Sequence, residues 1–254
     1  MGYICRLMKE YRLKTRTADK YHTRYLKYDF SNNFEEKAYL IGFRQGDLDV
    51  DLSSSKNLII TRCTSTKNVQ IQLFKNLFKN YGHIYVGKLK EDGNREFLVS
   101  LNHTFNFLLP KRDNIPKWIR ENKNYFLSFL AGYTDAEGCI SIGKNNIADF
   151  KLSSYDKNIL KRIYQGLLKI GIDVNPPRIH VKKGYKKSDG CIYRNDEWKF
   201  RVTKKSSLFP LLELLEEKLK HQKRLKDLEK AKQNIIERDQ KCLLKRTSLK
   251  YLPV

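Results

Sequence analysis

Hydrophobic positions in this chain change period twice, in the same order each time. Apolar residues first recur at helical spacing, through Leu40–Asp47 and again through Leu130–Glu137. Each stretch gives way to alternating segments: Leu48–Leu52 then Leu58–Cys63 in one case, Cys139–Ile142 then Ala148–Leu152 in the other. Strict alternation marks strands with one buried face. An amphipathic helix follows in both places, opening with Lys67-Asn68 and Lys157-Asn158 and stopping near Gly82 and Gly171. Two further strands then follow, at about 83–90 and 95–101 and at about 177–183 and 197–203.

An order repeated at so nearly constant an offset is a duplication. The expected fold is α+β, with two pseudo-symmetric αββαββα halves and two antiparallel sheets. The chain divides into a basic N-terminal extension (1–34), a first half (35–110), a linker (111–122, beside Pro110 and containing Pro116), a second half (123–218) and a charged helical tail (219–254). The tail, where Leu211, Leu212, Leu214 and Leu215 give way to charges around 218–232, reads as a solvated amphipathic helix.

The two helical stretches also resemble each other in letters. Each spaces small residues at i and i+4, Gly42/Gly46 and Gly132/Ala136, which lets two helix backbones approach closely. Each ends in an acid, Asp47 and Glu137, 90 residues apart. If the helices pack on each other the acids meet at one end of the seam. They repel there, and each sits at the negative end of a helix dipole. A divalent cation would relieve both penalties.

Alternation also sorts the strand faces. Ile179 and Val181 oppose Arg178, His180 and Lys182; Trp198, Phe200 and Val202 oppose Lys199 and Arg201; Phe150 and Leu152 oppose Asp149, Lys151 and Ser153. One face packs on helices, and the other carries long cationic side chains suited to base edges in the major groove. The first half is less uniform: Lys88 and Lys90 lie on one strand, but Asp49 and Asp51 fall on the polar face of another. Lysine and arginine total 51 against 28 acids, a formal charge of +23, which points to a polyanionic partner. The five cysteines form no C-x-x-C, which fits a reducing intracellular compartment and a protein that is not secreted. No apolar run approaches a membrane span.

These residues resemble the single-chain LAGLIDADG homing endonucleases, with Leu40–Leu48 and Leu130–Gly138 as the two motif copies. The second copy is close to consensus; the first has Gln45 where an acid is usual and Leu48 where glycine is usual. The resemblance implies motif helices packed at a pseudo-twofold interface through Gly42, Gly46, Gly132 and Ala136, with the two sheets forming a saddle on double-stranded DNA. It implies Asp47 and Glu137 as catalytic, metal-binding acids assisted by the carbonyls of Gly46 and Ala136. Mg²⁺ is the expected ion, with Mn²⁺ or Ca²⁺ able to occupy the site. The activity implied is that of an intron-encoded monomer cutting both strands across the minor groove to leave short 3′ overhangs. Family members often place a lysine by the metal where this chain has Ser65 and Tyr155; Arg62, Lys144 and Lys151 are nearby substitutes and also candidate DNA contacts. The alternative is a non-cleaving relative, a maturase for its own intron RNA or a DNA-binding regulator using the same saddle.

Overall fold

The computed structural model describes residues 25–250 apart from Ser55, with side chains described as far as Lys241. Most of the expected N-terminal extension, residues 1–24, lies outside the described residues. The first half comprises α1 (Phe34–Gly46), β1 (Asp49–Leu52), β2 (Leu58–Ser65), α2 (Asn68–Phe78), β3 (Ile84–Val86), β4 (Arg95–Asn102) and a 3₁₀ turn at His103–Leu108. After α3 (Lys117–Glu121) the second half repeats the order: α4 (Lys123–Glu137), β5 (Gly138–Ile142), β6 (Ala148–Ser154), α5 (Lys157–Lys169), β7 (Arg178–Val181), β8 (Glu197–Val202) and α6 (Lys205–Glu216). A last helix, α7, spans Gln222–Lys250.

Both sheets are antiparallel with the same strand order, β1-β2-β4-β3 and β5-β6-β8-β7. The registers agree too. Asp49, two residues past Asp47, pairs with Arg62; Cys139, two past Glu137, pairs with Lys151. In turn Arg62 pairs with Leu98 and Lys151 with Arg201, which makes these positions equivalent between halves. Each motif helix starts on an asparagine, Asn33 or Asn122, whose side chain accepts from two backbone N–H groups of the first turn. Such a cap stabilises a helix by about 1 kcal/mol. Apolar residues of both halves form one continuous core.

Several expectations are corrected. The third strand of the first half stops at Val86: Gly87 still bonds to Glu96, but beyond it the chain closes in a turn at Lys90–Asn94, with Gly93 at φ +76°. Lys88 and Lys90 therefore sit in the hairpin connection and not on a strand. Lys144 likewise lies at the tip of the β5–β6 hairpin. In β7 a bulge inserts His180 as an extra residue: Ile179 pairs with Trp198, but Val181 pairs with Glu197. Val181 thereby joins the polar-face register and Lys182 lies beyond the strand. The closing helix of the first half is the short 3₁₀ turn.

The tail is not a solvated helix. Leu228, Ala231 and Ile235 of α7 are buried in the common core, at the spacing of one helical face. Lys232 pairs with Glu216 and lies over the Phe209 ring, and Asn234 donates to Asn146 at the β5–β6 turn. Its charges occupy the opposite face, which is why composition alone read it as solvent-exposed.

Candidate active site

The site is made by how closely α1 and α4 approach. A Cβ built on Gly42 would lie 2.2 Å from the Phe129 carbonyl oxygen, and one on Gly132 would lie 2.1 Å from that of Tyr39. Tyr39 and Phe129 hold equivalent places in the two motifs, so the contacts are reciprocal about a pseudo-twofold axis. The rings repeat the symmetry: Tyr39 stacks on Phe43 and Phe129 on Tyr133. At the far end of the seam the same construction on Gly46 meets the Ala136 Cβ at 2.6 Å and the Glu137 Oε1 at 2.9 Å. The Glu137 carboxyl therefore lies against the last turn of the opposite helix, beside Asp47.

Both acids are unsettled by their surroundings. Burial pushes the Asp47 carboxyl up to about 6, against a 2.7 Å hydrogen bond from Gln70 Nε2 to Oδ2 and the nearby charges of Arg224 and Lys111. Burial, then the charges of Asp47 and Asp156, push Glu137 up to about 7, again opposed by Lys111 and Arg224. Asp156 itself accepts from the Tyr133 hydroxyl. The charge of Asp47 thus acts on Glu137 across the seam, and that of Asp135 on Asp47.

Lys111 and Arg224 were missed by sequence reasoning. Lys111 lies in the linker after the first half, and Arg224 in the first turn of α7 after the second. The segments closing both halves therefore bring a cation to the acids. Ser65 and Tyr155, the lysine-equivalent positions, carry no charge, and Tyr155 is exposed. A cavity of about 350 Å³ opens beside Asp47, with Gln70, Ala136, His221 and Arg224 among its walls. The only signal available for Arg224 was the charge run at 218–232.

Asp135 holds this arrangement in place. Its Oδ2 accepts from the Tyr39 hydroxyl, from the Lys220 N–H at 2.8 Å and from the His221 N–H at 3.1 Å. One buried carboxylate thus ties α4 to α1 and to the start of α7. Burial still pushes it up to about 6. Gln45, its counterpart in the first motif, is buried with Oε1 unpartnered among the described residues.

The other candidates divide by sheet. On the second, Lys151 and Arg201 both bind Asp149, while Lys199 and Arg178 pair across strands on the same face. On the first, Arg62 is bound by Asp51 at 2.5 Å and Asp49 at 3.6 Å. The acids that jarred in the sequence are its partners. Lys144, Lys182 and His180 are exposed near the margins of the second sheet, and Lys88 and Lys90 beside the first.

The donor set suits a hard divalent cation. Among the described residues no three His, Cys, Asp or Glu side chains converge on one point, so an ion here would rest on two carboxylates, peptide carbonyls and water. Mg²⁺ and Ca²⁺ take such all-oxygen sets. The raised, mutually repelling pair formed by Asp47 and Glu137 is the kind of site a cation stabilises.

This architecture defines a class: two αββαββα units in one chain, joined through glycine-tight motif helices with an acid from each at the seam. Residues 124–195 match the family model of the LAGLIDADG-like domain. The chain is of the single-chain LAGLIDADG type in fold. A structure of the homing endonuclease I-DmoI in complex with DNA and calcium superposes with a TM-score of 0.52 at 15% identity, covering 78% of this chain and 99% of that one. A second I-DmoI structure, of mesophilic variants, gives 0.50 at 16% identity, with 72% and 95% covered. Full-length DUF199/WhiA from Thermatoga maritima gives 0.48 at 16%, with 88% and 69% covered. No curated protein matches the sequence.

Proposed function

We propose that this protein is a site-specific DNA endonuclease of the homing type, hydrolysing one phosphodiester in each strand across the minor groove to leave short 3′ overhangs. The observation that carries the reading is the meeting of Asp47 and Glu137, one from each half, at the glycine-tight end of the seam. A binding protein gains nothing from two buried, repelling carboxylates. The two-fold relation suits a duplex, whose strands present their scissile phosphates on either side of one axis. Similarly folded I-DmoI has been described with DNA and calcium, and the charge of +23 suits the same partner.

In this reading each acid serves one strand. Mg²⁺, when bound, supplies Lewis-acid activation of water and stabilises the leaving 3′-oxygen. Asp47 and Glu137 would hold it through carboxylate oxygens, with the carbonyls of Gly46 and Ala136 available beside them. Gln70 fixes the rotamer of Asp47 through its hydrogen bond. Lys111 and Arg224, whose charges reach both acids, offset charge as it accumulates on the phosphate in the transition state. The protein works as a monomer in a reducing intracellular compartment, as an intron-encoded enzyme.

The decisive test incubates wild type, Asp47→Asn and Glu137→Gln with a randomised duplex library and Mg²⁺, and sequences the cut ends. The wild type yields short 3′ overhangs at one long asymmetric site. Each variant still binds that duplex but no longer makes a double-strand break. Full cutting by either variant refutes the site. Selective binding without cutting by the wild type returns the protein to the maturase or regulator reading.

A further inference from the structure

The second sheet anchors an arginine on its polar face through a buried acid, whereas Arg62 on the first is held through one nitrogen by the exposed Asp49 and Asp51. Asp149 is fully buried there, yet it lies beneath side chains that are not: Lys151 is 26% exposed and Arg201 52%. Ser141 donates to its Oδ1 at 2.6 Å, and Lys151 Nζ reaches its Oδ2 at 2.8 Å. Arg201 presents one edge to the same oxygen, Nε at 2.9 Å and Nη2 at 2.6 Å. Burial works against the charge of Asp149, but the bonds from Lys151, Ser141 and Arg201 overcome it and hold its carboxyl below the usual range. The network is therefore ionised and its donors are committed.

With that edge anchored, the parallel Nη1 and outer Nη2 hydrogens of Arg201 have no partner among the described residues, on a side chain 52% exposed. A parallel donor pair of fixed orientation matches the O6 and N7 acceptors of guanine in the major groove. A phosphate clamp would be served as well by a mobile, unpaired cation, and half of this cluster's positive charge is already cancelled by Asp149. The equivalent positions on the first sheet are Ile60, Arg62 and Leu98, so the counterpart of Arg201 has no donor.

We infer that Arg201, positioned by the buried Asp149, reads a single guanine in the half-site under the second sheet. The inference rests on the DNA-binding reading above. It is tested by selecting bound sequences from a randomised duplex library with wild type, Arg201→Ala and Asp149→Asn. Wild type selects guanine at one position, and Arg201→Ala lowers that preference by roughly 5- to 150-fold while other positions keep theirs. Asp149→Asn weakens the same position and no other. If wild type selects a site but Arg201→Ala lowers affinity uniformly, Arg201 holds phosphate and the inference fails while the function stands. If wild type selects no sequence, both fail. Should Asp149→Asn not fold, the exposed Arg201 variant decides alone.

Discussion

Gly132→Ala is the most direct probe of the seam. The new Cβ would sit 2.1 Å from the Tyr39 carbonyl oxygen and 3.0 Å from the Phe43 nitrogen, where ordinary contact begins at 3.4 Å. Both neighbours are backbone, so no side chain can swing aside, and α1 and α4 must separate by about 1 Å. Alanine gains about 1 kcal/mol over glycine in helix propensity. Overpacking of this kind costs about 1–3 kcal/mol, and opening the seam also loosens the stacked rings beside it. A net loss of up to about 2 kcal/mol lowers Tm by up to roughly 8 °C in a chain of this length. Thermal unfolding followed by circular dichroism reads the effect. Gly42→Ala meets Phe129 in the same way, so the double variant should lose less than the sum, because a seam already opened admits the second methyl. A Tm that rises, as for glycine replaced on a free helix face, would refute the close approach and with it the placement of Glu137 against Gly46.

Two further outcomes follow from the charges. Since burial raises the Asp47 and Glu137 pKa values above their unfolded ones, the folded apo-protein binds more protons than the unfolded chain between about pH 4 and 7, and this contribution to stability falls as pH rises through that window. Glu137→Gln removes the penalty, so its Tm should exceed that of wild type at pH 8 without added cation and match it near pH 5; a gap independent of pH would contradict the buried pair. Duplex binding should weaken steeply with salt, since neutralised phosphates release counterions; an isotherm that does not move between 50 and 200 mM salt (about the usual test range) would argue against the basic saddle.

The parts legible in the sequence were those set by short-range period. Small residues at i and i+4 announced the helix contact, and alternation placed Phe150 and Leu152 inward and Asp149, Lys151 and Ser153 outward, as found. Alternation could not foresee the bulge at His180, which slips register without altering local composition. Nor could it show that Asp149, on the polar face, would be wholly covered by Lys151 and Arg201, because that depends on pairing across three strands. The cations at the acids were hidden for a related reason. Lys111 lies 64 residues after Asp47 and Arg224 lies 87 after Glu137, and only the return of each closing segment to the seam brings them near the acids.

Those closing segments make the tail part of the site, and Asp135 is where this can be tested. Its carboxylate accepts from Tyr39, Lys220 and His221 in the interior. Asp135→Ala strands a hydroxyl and two N–H groups there, at about 1–3 kcal/mol for each left without a partner. Relief of the buried charge, whose pKa stands at about 6, offsets part of this near neutral pH. The expected result is a lower Tm together with faster amide exchange at residues 219–226, because the start of α7 loses its anchor. Arg224 moves with that turn, so double-strand cleavage should drop although Asp47 and Glu137 are unchanged. Asp135→Asn keeps one acceptor oxygen and should fall between the two. If exchange at the start of α7 stays as slow in Asp135→Ala as in wild type, the tether is not what holds Arg224 at the acids. A variant whose exchange quickens while cleavage is untouched would instead remove Arg224 from the chemistry.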